Sequence, residues 1–541
     1  MKIVPVLTTG GVWLKYDNKK HLKYIDQIKK MFTIKYVGFN EILTITRNYR
    51  IYPEKQTLIL PKFGMYECLN DDEKCKPFHS LDIYSFDNVI NILASDSIKN
   101  TEWTGKLNKF QLLVKNEIME KYFSHSNVKK GLAGVTLSLP TGHGKTFVAM
   151  SLISELKVPT LIICPKRKIV SQWVGLLTNY FPNLKIGIYH SDNKINGDII
   201  VGVIDSLVNN SNFIMKCPIN SSKIEYTKKN FYNRWGFIIL DESHNYVTKY
   251  YSKIFSYISP NYTLGLSATP YNRRDNLDII SHWNIGLVLT SNDIPNYLAV
   301  YKKEKTVPVF KGRIIGIKYY GPVDYTKVIH NNNGIIAVHK TVDLIINDPY
   351  RIKLIVNKIY ELYNKNYCLL IFADRISYLK QIKEKIDNYQ PDINQYGKEQ
   401  HVNSIILDLI NKQEHQIITG GATDNEMAHA YLNSKIILTT YAFFMEGISI
   451  PRINAILYAT PRKSGIKQSN GRCLRPSDNE NINKKMEENN KERIILDIID
   501  WNIGFMKSQW YKRKKIYSEM DEIGADFIIM NEDVNYKELM V

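Results

Sequence analysis

The chain has 541 residues, 44% hydrophobic and 23% charged, a balance that excludes a disordered or fibrous protein. It leaves room for about two to four domains whose cores need neither disulfides nor a structural metal. Seventy-two Lys and Arg against 53 Asp and Glu give a net charge of +19, which favours a polyanionic partner but is equally what an AT-rich coding genome would produce in a sequence so full of Lys, Asn, Ile and Tyr.

The first residues, MKIVPVLTTGGVW, are broken by Pro5 and the TTGG stretch before they reach signal-peptide form. No run of ~18 apolar residues follows anywhere, so no membrane span is expected. The six cysteines form no C-x-x-C pair, which indicates neither a zinc site nor a disulfide framework and suits a reducing, intracellular setting.

Residues 1–100 mix short β-type runs such as TLILP with charged helical pieces and read as a small α+β accessory domain. From about Thr101 the rhythm changes to VTLSL, TFVAMSLISEL, TLIIC, a helix through SQWVGLL, IIVGV and FIIL. Strand and helix alternating in this way mean a parallel sheet covered on both faces, so residues 101–295 are expected to form an α/β domain. After a connecting segment at 296–340, residues 341–515 repeat the build: a helix through RIKLIVNKIYELY, the strand YCLLIF, a helix from Ser377, then QIIT, KIILTT and INAILYA. Residues 516–541 are left as a tail. The polar stretches NNSNFIMKCPINSSKIEYTKKN and DNENINKKMEENNKER read as surface loops.

The strongest local signal is VTLSLPTGHGKTFVAM, a β-type run turning through a Gly-rich loop into a helix that begins near Lys145. Gly142 and Gly144 let backbone N–H groups curl around phosphate oxygens. Lys145 supplies a point charge to the β and γ phosphates of ATP, and Thr146 a hydroxyl for Mg²⁺. Leu139 stands where the generic phosphate-loop pattern has its first Gly. About ninety residues on, FIILDESHNY delivers Asp241 to a strand end, where it can hold Mg²⁺ through water, and sets Glu242 to polarise the attacking water.

The forms P-T-G-x-G-K-T and D-E-S-H resemble motifs I and II of superfamily 2 helicases of the DExH type, and other pieces follow in that family's order from about Leu107 to Asp500. LNKFQLLVKNEIM resembles the upstream glutamine motif, with Gln111 on the adenine side. ICPKRKIVSQW resembles motif Ia, with Pro165, Lys166 and Arg167 near the nucleic-acid backbone. VGVIDSL stands at motif Ic, where only Ser206 carries over. GLSATPYNR resembles motif III, with Ser267, Ala268 and Thr269 linking nucleotide and nucleic-acid sites, and His244 as their coupling partner. CLLIFADR resembles motif IV. ILTTYAFFMEGISIPRINAILYAT resembles motif V, with Thr439 and Thr440 offering hydroxyls to phosphates and Gly447 allowing close approach, but with Ser449 where many relatives have Asp. KQSNGRCLRP fits Q-x-x-G-R-x-x-R, with Gln468 beside Arg472 and Arg475 as arginine fingers.

The resemblance implies two tandem RecA-like domains behind the accessory domain. It further implies a nucleotide site formed by Pro140, Thr141, Gly142, His143, Gly144, Lys145 and Thr146 with Gln111, Gly447 and Gln468, and catalysis by Lys145, Asp241, Glu242, Arg472 and Arg475 with ATP and Mg²⁺. The individual forms look closest to the XPB-like branch, and nearest to phage branch-migration helicases and the transcript-release helicases of large DNA viruses. They imply a DNA-dependent ATPase with 3′-to-5′ helicase activity serving transcript release, with RNA polymerase or other transcription proteins as partners and a host cytoplasm or virion as its place. An ATP-dependent RNA helicase is the nearest alternative. A non-catalytic nucleic-acid adaptor would not need all five catalytic residues, and a restriction-type motor would need a carboxylate-rich cutting domain that neither terminal segment shows. The stretch WNIGFMKSQWYKRKKIYSEM reads either as an amphipathic helix packed on the second domain or as a surface that stacks a single strand.

Overall fold

A computed structural model divides the chain into two compact units, Met1–Glu304 and Lys305–Val541. It describes all residues except 1–4, 9, 38–42, 91–95, 141, 192, 219, 259, 269–276, 305–309, 333, 389–414, 421, 424–425, 427–428, 431–432, 445–452, 462–465, 467–469, 471–491, 519–524 and 541.

The first unit opens with a small mixed sheet. Gly11–Lys15 pairs antiparallel with Val6–Thr8 on one side and with Thr57–Leu60 on the other, and Arg50–Tyr52 follows at the edge. Alternation in GVWLK sends Val12 and Leu14 inward, where both are fully buried. The helix Asn18–Met31 starts on Asp17, whose carboxylate accepts from the Lys19 N–H at 2.8 Å, and it drops Ile25 and Ile28 into the same core. Trp283 of the following α/β core packs edge-on against Phe32 at 5.1 Å, joining the accessory sheet to that core.

That core is a run of parallel strands in the order Ile186–Tyr189, Ile199–Val203, Thr160–Cys164, Phe237–Asp241, Tyr262–Ser267, Ala133–Ser138 and Leu287–Thr290. Every residue of TLIIC and IIVGV is buried, because helices cover both faces, and hence the sequence shows apolar runs instead of alternation. The register sets Asp241 beside Leu266 and Ser267 beside Ser138, so the ends of three neighbouring strands reach one edge of the sheet. Ligands of open α/β sheets bind at this carboxyl edge.

The second unit is another wholly parallel sheet, ordered His415–Ile418, Ile436–Thr440, Leu369–Ala373, Ala455–Tyr458, Arg493–Asp500, Phe310–Tyr320 and Ala525–Asn535. Its long helix Pro349–Asn364 is capped by Asp348, which accepts from the N–H groups of Tyr350 and Arg351 at 3.0 and 3.3 Å. Two buried ion pairs pin helices to the Arg493–Asp500 strand. Arg351 Nε lies 2.8 Å from Asp500 Oδ1, and Arg513 grips Asp497 through two bonds of 2.7 and 2.9 Å. Two parallel N–H···O bonds per pair offset part of the cost of taking the charges out of water.

Three segments differ from expectation. The stretch expected as a connection, 296–340, contains the helix Tyr297–Glu304 and the strand Phe310–Tyr320, and the expected tail, 516–541, contains the strand Ala525–Asn535; the two strands pair with each other. Part of the polar stretch expected as a loop forms a hairpin, Asn212–Lys216 against Lys223–Thr227, because Phe213 and Met215 alternate inward. The helix Gly504–Ser518 packs on its own unit with Trp510 buried, which removes that ring from any role in stacking a strand.

Candidate nucleotide site

The phosphate loop leaves the Ala133–Ser138 strand and enters the helix Lys145–Leu156. Gly142 and Gly144 take φ of +88° and +72°, the left-handed region where a side chain is strained. Gly144 is further constrained by Gln111: a Cβ placed there would lie 2.0 Å from the glutamine Nε2. Gln111 is buried, and its Oε1 accepts from the Asn108 N–H at 2.9 Å in a reciprocal cap at the start of the helix Lys109–Glu117. The glutamine expected on the adenine side is thus locked against the loop. Lys145 Nζ donates to the carbonyl of Leu139 at 2.7 Å and of Pro140 at 3.4 Å, and Thr146 follows in the first turn.

The His143 side chain is 1% exposed, with Nδ1 2.6 Å from the Tyr297 hydroxyl and the ring stacked on Tyr301 at 4.1 Å. The ring anchors the loop to the helix Tyr297–Glu304, which leaves the backbone of His143 as its part in the phosphate loop. Nothing in the G-H-G sequence signals this; the two tyrosines lie in the segment expected as a connection.

Asp241 ends the Phe237–Asp241 strand, with Oδ2 accepting from Trp173 Nε1 at 2.7 Å and Oδ1 from the Glu242 N–H at 3.0 Å. Surrounding protein withdraws water and pushes its pKa up to about 6; the neighbouring Glu242 charge adds to this, while the Trp173 bond and Lys145 oppose it. A carboxylate so short of counter-charge, beside Lys145 and a loop of left-handed glycines, fits a magnesium-bound triphosphate. Trp173 was expected only as part of motif Ia, with no sign of this contact. Tyr246, also missed, shares its one hydroxyl proton between the carbonyls of Ile163 and Asp241, 2.8 and 2.7 Å away, and ties the box to the adjacent strand.

Glu242 has φ of +50°, unusual for a residue with a side chain. His244 Nδ1 stands 3.5 Å from Glu242 Oε2 and 3.0 Å from the Ser267 hydroxyl, so one imidazole touches both the D-E box and the S-A-T turn. Ser267 is fully buried at the end of its strand and Ala268 follows it.

Of the expected nucleic-acid residues, Pro165 and Lys166 follow the Thr160–Cys164 strand and Arg167 opens the next helix, where it bonds the Ser191 hydroxyl. Ser206 lies in the helix Ile204–Asn209. Thr439 is a correction: it is 1% exposed and its hydroxyl donates to the Ile418 carbonyl at 2.8 Å, so strand pairing consumes it and leaves Thr440, half-buried at the strand end. Thr141, Thr269, Gly447, Gln468, Arg472 and Arg475 lie outside the described residues.

A family model described as Type III restriction enzyme, res subunit, matches residues 104–272, the stretch that holds the phosphate loop, the D-E box and the S-A-T turn. The chain is 29% identical over 398 residues to QP509L of African swine fever virus (isolate Tick/Malawi/Lil 20-1/1983), named an ATP-dependent RNA helicase, covering 71% of this chain and 68% of that one. It is 24% identical over 424 residues to L396 of Acanthamoeba polyphaga mimivirus, of the same description, covering 78% and 69%. Helicase 161L of Invertebrate iridescent virus 6 is 24% identical over 432 residues, covering 78% and 82%. Among solved structures, T4 UvsW aligns over 99% of this chain and 100% of its own with a TM-score of 0.33 and 15% identity. With a phosphate loop and a D-E box at one edge of a parallel sheet, inside the stretch that the family model matches, and with viral helicases as relatives, the chain is an ATP-hydrolysing helicase.

Proposed function

We propose that the chain couples ATP hydrolysis to 3′-to-5′ movement along DNA, in the manner of the XPB-like branch, and serves transcript release in a large DNA virus. The observation that carries the coupling is His244, within 3.5 Å of Glu242 and 3.0 Å of Ser267. A change at the hydrolytic carboxylate reaches the S-A-T turn through a single side chain.

Lys145, Thr146 and Asp241 would hold magnesium ATP, which supplies the transferable phosphoryl group and the divalent charge that neutralises its oxygens. Glu242 is assigned the orientation of the attacking water. Trp173 keeps Asp241 ionised against the burial that opposes it. Arg472 and Arg475 are assigned the γ-phosphate charge, and Gln111, beside Gly144, the adenine side. Lys166, Arg167, Ser206 and Thr440 are assigned the strand backbone, contacts that carry no sequence information and weaken with salt. The DNA assignment rests on the forms of motifs I, III and V and of the KQSNGRCLRP stretch. The names borne by QP509L and L396 favour a second reading, an RNA helicase.

Steady-state ATP hydrolysis with single-stranded DNA, duplex DNA or RNA separates the two. Stimulation by DNA supports the first reading; stimulation by RNA alone replaces it with the second. Lys145→Ala should lower turnover by roughly two orders of magnitude or more under every condition, since it removes a preorganised cation from the phosphate site.

A further inference from the structure

Within residues 1–304, the accessory sheet and the first α/β core meet around two adjoining depressions that share Gly10, Arg50 and Ser256 and that the nucleotide site does not use. The first, of about 420 Å³, is lined by Arg47, Arg50 and Lys62 from the accessory side and by Lys249 and Lys253 from the core. The second, of about 770 Å³, adds Lys228 and Lys229 to the rings of Trp13, Tyr52 and Tyr257.

No Asp or Glu lines either depression among the described residues. In a chain with 53 acidic residues to 72 basic ones, seven cations without a carboxylate do not follow from composition. Buried polar groups line the first depression. Lys62 is 3% exposed, donates to the Pro260 carbonyl at 3.2 Å, and is pushed down to about 7 by burial alone. Thr46 Oγ1 and Asn48 Nδ2 are buried without a hydrogen-bond partner among the described residues. An anion seated in the first depression would supply the counter-charge that the Lys62 ammonium lacks there.

The aromatic half has the chemistry of a base platform. Trp13 and Tyr52 stack at 6.1 Å with an interplanar angle of 18°, and Tyr52 remains 39% exposed. Lys228 Nζ sits 3.9 Å from the centre of the Tyr257 ring, so cations and ring faces are interleaved.

We infer that the two depressions form a second nucleic-acid site: phosphates of a single strand seat against Arg47, Lys62, Lys249 and Lys253, and a base lies against the Trp13–Tyr52 pair. Aromatic faces beside a cationic groove grip single strands without reading their sequence. The inference rests on nucleic acid being the motor's cargo, and it places a hold on the strand away from the helicase motifs.

The test compares the full-length protein with the triple variant Arg47→Ala, Lys249→Ala, Lys253→Ala, all three residues being exposed and outside the nucleotide site. Affinity for a labelled single-stranded oligonucleotide is followed by fluorescence anisotropy across a salt series. Each lost phosphate contact removes about 0.7 from the salt slope on a single strand, so the slope should fall by about two, while hydrolysis without nucleic acid stays unchanged. Tyr52→Ala should weaken binding roughly tenfold at fixed salt and Tyr52→Phe should restore it. Parental affinity and slope in the triple variant would overturn the second site alone; a parent protein that binds no strand at any salt would overturn the proposed function with it. Displacement of the oligonucleotide by equimolar inorganic phosphate would show a small-anion pocket and also overturn the inference.

Discussion

Replacing Trp173 with Phe isolates one bond at the centre of the site, that from the indole Nε1 to Asp241 Oδ2 at 2.7 Å. A hydrogen bond to a charged group is worth about 1.5–3 kcal/mol, and the partial exposure of Asp241 argues for the lower figure. Loss of about 1.5 kcal/mol from the ionised form moves the carboxyl upward by about one pH unit from its value near 6. The smaller ring adds a packing cost of about 1 kcal/mol at every pH, because Trp173 is 2% exposed. For an acid raised in the folded state, the stability it contributes is complete below its unfolded value near 4 and is lost as pH rises through 6. The variant should therefore be destabilised by about 1 kcal/mol at pH 5 and about 2.5 kcal/mol at pH 8. Calorimetry that resolves the unfolding of the first unit measures this. The acid limb of kcat/KM for ATP hydrolysis should move up by about one unit in parallel. An equal cost at both pH values with an unmoved limb would refute the claim that the indole holds the ionised carboxylate.

His244→Ala should leave hydrolysis without nucleic acid within a few-fold of the parent but abolish most of its stimulation, since the imidazole joins Glu242 to Ser267; paired assays with and without oligonucleotide read the split. Arg513→Met leaves Asp497 buried with, among the described residues, the Tyr517 hydroxyl at 2.8 Å as its side-chain donor, and should cost about 3–5 kcal/mol, seen as a lower melting temperature of the second unit. Adding Asp497→Asn should recover part of that loss, because the uncompensated charge is gone.

Residues whose role is set by the backbone were legible in the sequence; those whose role is set by a distant partner were not. Lys145, Asp241 and Ser267 could be placed because each sits at a strand or loop end that local patterning reveals, and the sheet register then brings those ends to one edge. The contacts of the His143 ring were not legible, because the loop spacing reports its backbone but says nothing of Tyr297, far along the chain. Thr439 was misread for a related reason: TT at the end of a β-type run does not say which hydroxyl the neighbouring strand consumes. The hairpin at Asn212–Lys216 was available in the alternation of Phe213 and Met215 around an exposed Ile214, but flanking Asn and Lys residues concealed it. The strands Phe310–Tyr320 and Ala525–Asn535 lacked the surrounding strand–helix rhythm, and their pairing spans almost the whole second unit.

That last pairing bears on how the protein is made. Phe310–Tyr320 is the first strand of its unit to leave a ribosome, yet both its neighbours come late: Arg313 pairs with Ile494 on one side and with Ile528 on the other. Until residue 500 emerges the strand FKGRIIGIKYY has neither edge satisfied, and until residue 535 emerges one edge stays open, so its isoleucines are exposed to the wrong partner. The second unit thus closes its sheet only once residue 535 is made, whereas every strand of the first unit's parallel core is available by Thr290. Non-local closure of this kind is slow and leaves apolar strand edges exposed, so the half-made second unit is the stage most open to mispairing.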